Sequence, residues 1–399
     1  MTPPVARRSL AFKLLLALAL LLALGLTVFL NLPRYLDGRM NGVAARPPFT
    51  VSPEAQALHD RLWIADLHGD TLMWGRDLIS EHDHGHIDLP RLKRGHVSLQ
   101  VFATVTKTPR GLNFERNAGD TDNITPLVIA QRWPVRTWNS LLERALYQSE
   151  KLHAQAAESN GELRILRTRA DLETFLKTEP VSPTPGRGHT AALLATEGLH
   201  PLEGRIENLD KLYDAGFRLA GLTHFFDNEL GGSAHGIEKG GLTPFGREVV
   251  RRLEDKKMLV DLAHASPKVV DDVLAMARRP VVVSHTGVQA TCPGPRNLSD
   301  AHIRGIAATG GVIGVGYFQG AVCALDTAAI VRAMKHVAQL VGVRHVALGS
   351  DFDGATTTAF DTTGIANITQ GLLQAGFSEA EVAAIMGGNV QRLLAATLP

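Results

Sequence analysis

A closed (β/α)8 barrel preceded by one membrane-length helix is the fold class this sequence predicts. Three observations carry it: eight short apolar runs recur along the chain, most are continuous rather than alternating, and helical patterns lie between most of them. Continuous apolar runs suit parallel strands covered on both faces. Repeated strand–helix units indicate a parallel α/β fold, and eight of them favour closure over an open doubly wound sheet, the alternative architecture. Six of the runs end in residues able to bind metal or do chemistry, as expected at the mouth of a barrel.

The chain has 399 residues, 45% hydrophobic and 20% charged. That is ordinary globular composition, long enough for one barrel of about 250 residues with insertions. The formal net charge is +1 and no basic stripe is interleaved with aromatics. No global field favours a polyanion, so nucleic acid is not expected as a partner.

The first element is N-terminal. Arg7 and Arg8 precede Leu10-Ala11-Phe12-Lys13, and residues 14–30 then carry no charge. A helix there measures roughly 25 Å at about 1.5 Å per residue, just enough for a thin bilayer. Residues 1–30 therefore read as a cytoplasmic tip and a transmembrane signal-anchor. The basic cluster places the N-terminus in the cytoplasm and the catalytic part in the periplasm or otherwise outside it. A cleaved signal peptide competes, but the run exceeds the usual core of about 7 to 15 residues, and Ala44-Ala45 lies well beyond it. A buried hairpin helix is the plainest alternative. Residues 31–52, with Pro33, Pro47, Pro48, Gly38 and Gly42 and no periodic pattern, read as a linker. The C-terminus has no long apolar tail, which argues against a GPI-type anchor.

Residues 53–399 are expected to form the barrel. Its candidate strands are 62–66, 98–104, 191–196, 219–223, 259–262, 281–284, 311–316 and 345–349. Helical patterns at 206–215, 244–257, 267–278, 300–309 and 326–341 precede the fourth to the eighth. The long second-to-third connection, about 106–189, reads as a helical insertion with helices around 127–160 and 169–177 and a Pro-rich loop at 181–186. Long insertions after barrel strands often wall the site. A helix pair at 367–375 and 378–394 closes the chain.

The chemistry-bearing residues follow the runs. His68 and Asp70 lie two apart as the first run ends, so period two puts them on one face, and both side chains are good zinc ligands. Read plainly, they are a packed His and a capping Asp. Glu197 follows the third run; its carboxylate can bridge two metals, or be an ordinary loop Glu. His264 and His285 end successive runs and would be neighbours at the rim, as two imidazoles for a second zinc or as satisfied core histidines. His224 can polarise a carbonyl and Asp351 can shuttle a proton, or either can ligate; the residues leave these roles open. Cys292 and Cys323 are equally compatible with one disulfide and with two buried thiols.

At this point a resemblance becomes specific. The chain resembles the membrane dipeptidase (renal dipeptidase) family of zinc metallopeptidases from about Trp63 to the C-terminus. The match rests on Asp66-Leu67-His68-Gly69-Asp70, Asp88-Leu89-Pro90-Arg91-Leu92, Glu197-Gly198 and Leu222-Thr223-His224. It continues in order through Gly241-Leu242-Thr243-Pro244-Phe245-Gly246, Asp261-Leu262-Ala263-His264, Ser284-His285 and Arg296-Asn297. It ends at Gly349-Ser350-Asp351-Phe352-Asp353-Gly354 and Gly388-Asn389.

The resemblance implies a barrel of the metal-dependent hydrolase type with two Zn2+ per chain. His68 and Asp70 would hold one ion, His264 and His285 the other, and Glu197 both; a hydroxide between them would attack the peptide bond of a dipeptide, including Xaa-D-Xaa. His224 would stabilise the oxyanion and also contact substrate, Asp351 would carry the proton to the leaving nitrogen, and Arg296 would bind the terminal carboxylate as a planar fork. It also implies a Cys292–Cys323 disulfide and allows a homodimer. The alternative activity is a related binuclear amidohydrolase acting on N-acyl amino acids or lactams; a non-catalytic protein on the same fold is a third reading. There are departures. Gly69 and Ala263 stand where the family often has Asn and Ser. Pro293 and Pro295 stiffen the approach to Arg296, and Gly320 stands where some relatives place an aromatic. His82-Asp83-His84-Gly85-His86 looks like a metal cluster but falls outside the implied ligand set; a solvated loop is the expectation.

Overall fold

Nine parallel strands account for the sheet of the computed structural model, which describes residues 10–178 and 188–399. Arg7, Arg8 and the 181–186 loop lie outside the described residues. The strands are β1 Ile64–Asp66, β2 Val97–Thr104, β3 Leu163–Ile165, β4 Thr190–Thr196, β5 Phe217–Gly221, β6 Leu259–Asp261, β7 Val282–Thr286, β8 Val312–Val315 and β9 Val346–Leu348. Pairing runs β2-β1-β9-β8-β7-β6-β5-β4, and β2 also pairs with β4 in register Leu99↔Ala191 to Thr104↔Thr196, which closes an eight-stranded barrel. All eight expected runs are its strands. The short β3 was not expected; it pairs with the first residues of β4 outside the ring.

Side chains alternate, as period two requires. Leu99, Val101, Ala103, Leu193 and Ala195 pack with Leu219 and Val282 inside the barrel, where Leu393 and Leu394 of the last helix join them. Phe102, Ala192 and Leu194 face outward to the surrounding helices. Those helices start where local chemistry permits. Thr243 caps Pro244–Asp255 through Gly246 N, and Ser266 caps Pro267–Met276 through Val269 N. In both, Pro follows the cap, where its missing N–H costs nothing. The insertion carries Ile124–Ala130, Leu141–Glu158 and Arg169–Thr178.

The N-terminal helix α1, Leu10–Met40, has 31 residues and is long and apolar enough to cross a membrane. It runs on into the stretch expected as linker, passing through Pro33. Propensity does not favour that continuation; docking does. Pro33 and Asp37 are buried against the barrel domain, and Asp37 Oδ2 accepts from Arg76 Nε at 2.7 Å. The 82–86 loop also differs from expectation. His86 is fully buried: its Nδ1 accepts from Asp353 N at 2.8 Å and its Nε2 lies 2.8 Å from Gly42 O.

Candidate metal centre

The strand-end residues singled out by the sequence gather at the C-terminal rim of the barrel, where Asp70, Glu197, His224, His264 and Asp351 line one cavity. His68 and Asp70 follow β1, Glu197 follows β4, His224 follows β5 and His264 follows β6. His285 lies within β7, and Asp351 follows β9. Two of these residues have left-handed backbone, His264 at φ 61° and Asp351 at φ 63°. Strain of that kind in non-glycine residues persists where the surroundings over-determine it, commonly at functional sites. Gly198, at φ 80°, turns the chain just after Glu197, and a Cβ there would stand 2.4 Å from His200.

Glu197 is the hub. Its Oε1 lies 3.4 Å from His68 Nε2, 3.1 Å from His264 Nε2 and 3.3 Å from His285 Nε2, and its Oε2 lies 3.2 Å from His224 Nε2. His68 Nε2 is also 3.5 Å from Asp70 Oδ2 and 3.9 Å from Asp351 Oδ1. Three overlapping groups therefore bring ligand atoms within 4.8 Å of one another: His68 with Glu197 and His285; Glu197 with His224 and His264; and His68 with Asp70 and Asp351.

Several polar atoms here lack ordinary partners, and that favours a cation. His68 Nε2 and Asp70 Oδ1 are buried without a hydrogen bond, which normally costs of order 1–3 kcal/mol per group. His264 Nε2 and His285 Nε2 point at each other across 3.0 Å, with Glu197 Oε1 beside both. Imidazole lone pairs and carboxylates converging on one buried spot are a metal donor set. Their protonation agrees. Burial drives His224, His264 and His285 well below the usual histidine range, so they are neutral, the form that ligates. Burial, reinforced by Asp70, pushes Glu197 up to about 7. Burial also raises Asp351 well above the carboxylate range, with Asp70 and Glu197 adding to it. His68 differs: burial presses it toward neutral, but Asp70 and Glu197 outweigh burial and lift its pKa. Burial disfavours the charged form of both acids, and cations held beside them would favour it.

Behind these residues stand two aspartates given no role at the sequence level. Asp66 Oδ1 accepts from His68 N at 3.0 Å, and its carboxylate reaches across to Ser350 N at 3.2 Å. Asp261 Oδ1 accepts from Ala263 N at 3.0 Å and from Ser284 N at 2.9 Å. Each clamps its own turn to the neighbouring strand. Ser284 Oγ in turn lies 2.9 Å from His285 Nδ1, orienting that ring's Nε2 toward Glu197.

Arg296 is buried at the cavity wall, above the Phe318 ring at 5.7 Å. Its Nη2 donates to His285 O at 2.8 Å, while Nε has no hydrogen-bond partner. Cys292 and Cys323 form a disulfide that ties the Arg296 loop to the segment after β8. The space above Gly320 is filled by Phe114 from the insertion, 2.9 Å from where a Cβ would be. His235, likewise unforeseen, stacks on Phe225 at 4.8 Å and sits edge-on to His264 at 5.2 Å. Only its residue type marked it in the sequence, because no apolar run precedes it.

A buried cluster of histidines and carboxylates on the C-terminal rim of a parallel α/β barrel defines a metal-dependent hydrolase. The chain belongs to the membrane dipeptidase family, peptidase family M19, whose profile matches residues 52–398, and is a metal-dependent dipeptidase of that family. Dipeptidase aclJ of Aspergillus oryzae is 28% identical over 364 residues, covering 86% of this chain and 80% of the fungal protein. The probable dipeptidase PvdM of Pseudomonas aeruginosa superposes with TM-score 0.69 at 21% identity, over 86% of this chain and 98% of that one. A metallopeptidase of Rhodobacter sphaeroides, solved with a phosphinate mimic of the dipeptide L-Ala-D-Ala, gives TM-score 0.68 at 22% identity, over 84% of this chain and 99% of that one.

Proposed function

We propose that this chain is a binuclear zinc dipeptidase held at a membrane by α1, with its catalytic domain outside the cytoplasm. The observation that supports two ions is Glu197, whose carboxylate belongs to two of the overlapping donor groups, one with His68 and His285 and one with His224 and His264, while Asp70 and Asp351 extend the His68 side. Zinc ions held there would supply Lewis acidity, polarising the amide carbonyl and making water nucleophilic near neutral pH. The remaining work falls to the chain. His224, neutral and next to Glu197, offers a fixed donor to the carbonyl oxygen as charge develops there. Asp351 takes the proton from the attacking water and passes it to the departing nitrogen, so the C–N bond breaks to give a free amine and a carboxylate. Arg296, with donors left over after its bond to His285 O, binds the terminal carboxylate. A longer C-terminus would collide with that clamp, which leaves room for one residue after the scissile bond. The mimic bound by the Rhodobacter protein supports acceptance of a D-residue at the second position.

Retention of α1 is supported by its docked end. Cleavage near Ala44-Ala45 would remove Asp37 from Arg76, a buried guanidinium that also pairs with Asp353 at 2.8 Å. Losing one partner of a buried ion pair typically costs ~3–5 kcal/mol.

The test is hydrolysis by the full chain in detergent micelles, loaded with zinc, against L-Ala-L-Ala, L-Ala-D-Ala, Ala-Ala-Ala and N-acetyl-Ala. Cleavage of the dipeptides alone is expected, with two zinc ions per chain by elemental analysis. Cleavage of N-acetyl-Ala alone would move the assignment to an amidohydrolase acting on N-acyl amino acids.

A further inference from the structure

The metal centre opens into a cavity of about 550 Å3 whose far wall is the N-terminal helix. Asp70, Glu197, His224 and Asp351 lie at its inner end; Phe29, Leu32, Leu36 and Met40 of α1 line the outer end. Trp74 and Leu127 line the same apolar end, the latter from the helix Ile124–Ala130 against which α1 packs. The cavity is therefore amphipathic along its length, polar and metal-binding inside and aliphatic or aromatic outside. A site for small dipeptides alone needs no such extension; roughly 300–1,000 Å3 is the range of pockets that enclose drug-sized ligands.

The wall is fixed in place. Asp37 pairs with Arg76, Asn41 Oδ1 accepts from Ala355 N at 2.9 Å, and Val43 bridges Thr358. Its apolar lining is continuous with the exposed leucines of the preceding turns, among them Leu22, Leu24 and Leu26 at 58–65% exposure. If those turns lie in a bilayer, the outer end of the cavity opens at its surface.

We infer that the end of α1 is a substrate-binding wall, and that the preferred substrates are dipeptides bearing a long apolar arm. The scissile amide sits at the metal centre, and the arm lies along Phe29, Leu32 and Leu36 toward the membrane. The inference rests on the dipeptidase reading and deepens it by naming the substrate class. Membrane partitioning would deliver such molecules to the cavity mouth, and burial of each methylene against the wall would add to binding.

The experiment uses the full chain in lipid nanodiscs. Dipeptides Xaa-Gly and Gly-Xaa are compared, with Xaa carrying linear side chains from methyl to octyl. In one of the two series kcat/KM is expected to rise by ~10-fold or more from methyl to octyl. In the double variant Leu32→Gln/Leu36→Gln that octyl-to-methyl ratio should collapse. A wall that only supports the fold would lower both substrates together and leave the ratio intact, which overturns the proposal; so does a flat chain-length series in the unaltered protein. N-decylglycine, which has no amide to cleave, gives a second readout by calorimetry against empty discs. Binding far tighter than that of N-methylglycine, and lost in the double variant, supports the wall even if no dipeptide is turned over, a result that would instead remove the dipeptidase reading. Equal weak binding of both amines overturns the wall itself.

Discussion

The site has two halves built on the same local motif but set in opposite electrostatic surroundings. On β1 the turn Asp66-Leu67-His68 and on β6 the turn Asp261-Leu262-Ala263-His264 each use an aspartate to hold the backbone that presents a histidine. Around His68 stand Asp70 and Asp351, and the ring's pKa is lifted by Asp70 together with the shared Glu197. Around His264 stand His224 and His285, and all three rings are held neutral by burial. The backbone device is thus generic, and the neighbours decide the chemistry: one half offers negative charge, the other neutral nitrogen. Two cations shared through Glu197 would meet both demands, whereas neither half alone resolves its own imbalance.

The strongest way to break this picture is Glu197→Gln. The amide keeps the shape but loses the charge and one acceptor. If Glu197 couples the halves, kcat should fall by ~10^3 or more, beyond the scale of a single electrostatic donor. Metal content measured on the purified chain should drop toward one ion or none. Full occupancy with near-normal turnover would mean that the halves work independently.

A smaller effect separates the two supporting aspartates. Losing a carboxylate behind a metal ligand typically costs 10–100-fold in affinity or activity. Asp66→Asn should lie near the upper end of that range, because Asp66 Oδ2 also accepts from Ser350 N and an amide group would set donor against donor. Asp261 makes both bonds through Oδ1, which Asn retains, so Asp261→Asn should be the milder change. Competition with a chelator, alongside kcat, measures both; the reverse order would sink the account of why the halves differ.

The sequence made the barrel and rim legible because both obey local rules. Continuous apolar runs mark buried parallel strands, and a ligand placed just after a run lands on the rim whatever the intervening helices do. Motifs such as Asp88-Leu89-Pro90 and Thr243-Pro244 proved to be helix caps, and these too are local. What stayed hidden depends on contacts between distant segments. The continuation of α1 to Met40 is stabilised by Asp37 meeting Arg76, which no periodicity encodes. His86 looked solvated because its loop is polar, yet Asp353 and Gly42 draw it inside. Phe114 and His235 reach the wall through an insertion and a loop that carry no register with the strands.

The two halves are also strapped differently, and this gives the smallest expected effect. The Asp351 loop is held by charge, Arg76 lying between Asp37 and Asp353, while the Arg296 loop is held covalently by Cys292–Cys323. A disulfide closing a sequence separation of 31 is worth ~3–4 kcal/mol by loop entropy. Cys292→Ser/Cys323→Ser should therefore lower the unfolding free energy by about that much. Its catalytic effect should be confined to substrate positioning, because the disulfide touches none of the proposed ligands and supports Arg296 only through the intervening loop. KM for a dipeptide should rise about threefold with kcat unchanged, the signature of weakened uniform binding. A fall in kcat with constant KM would place the strap's influence on the metal-facing residues instead, and the division of labour between a charged half that moves protons and a clamped half that holds substrate would have to be redrawn.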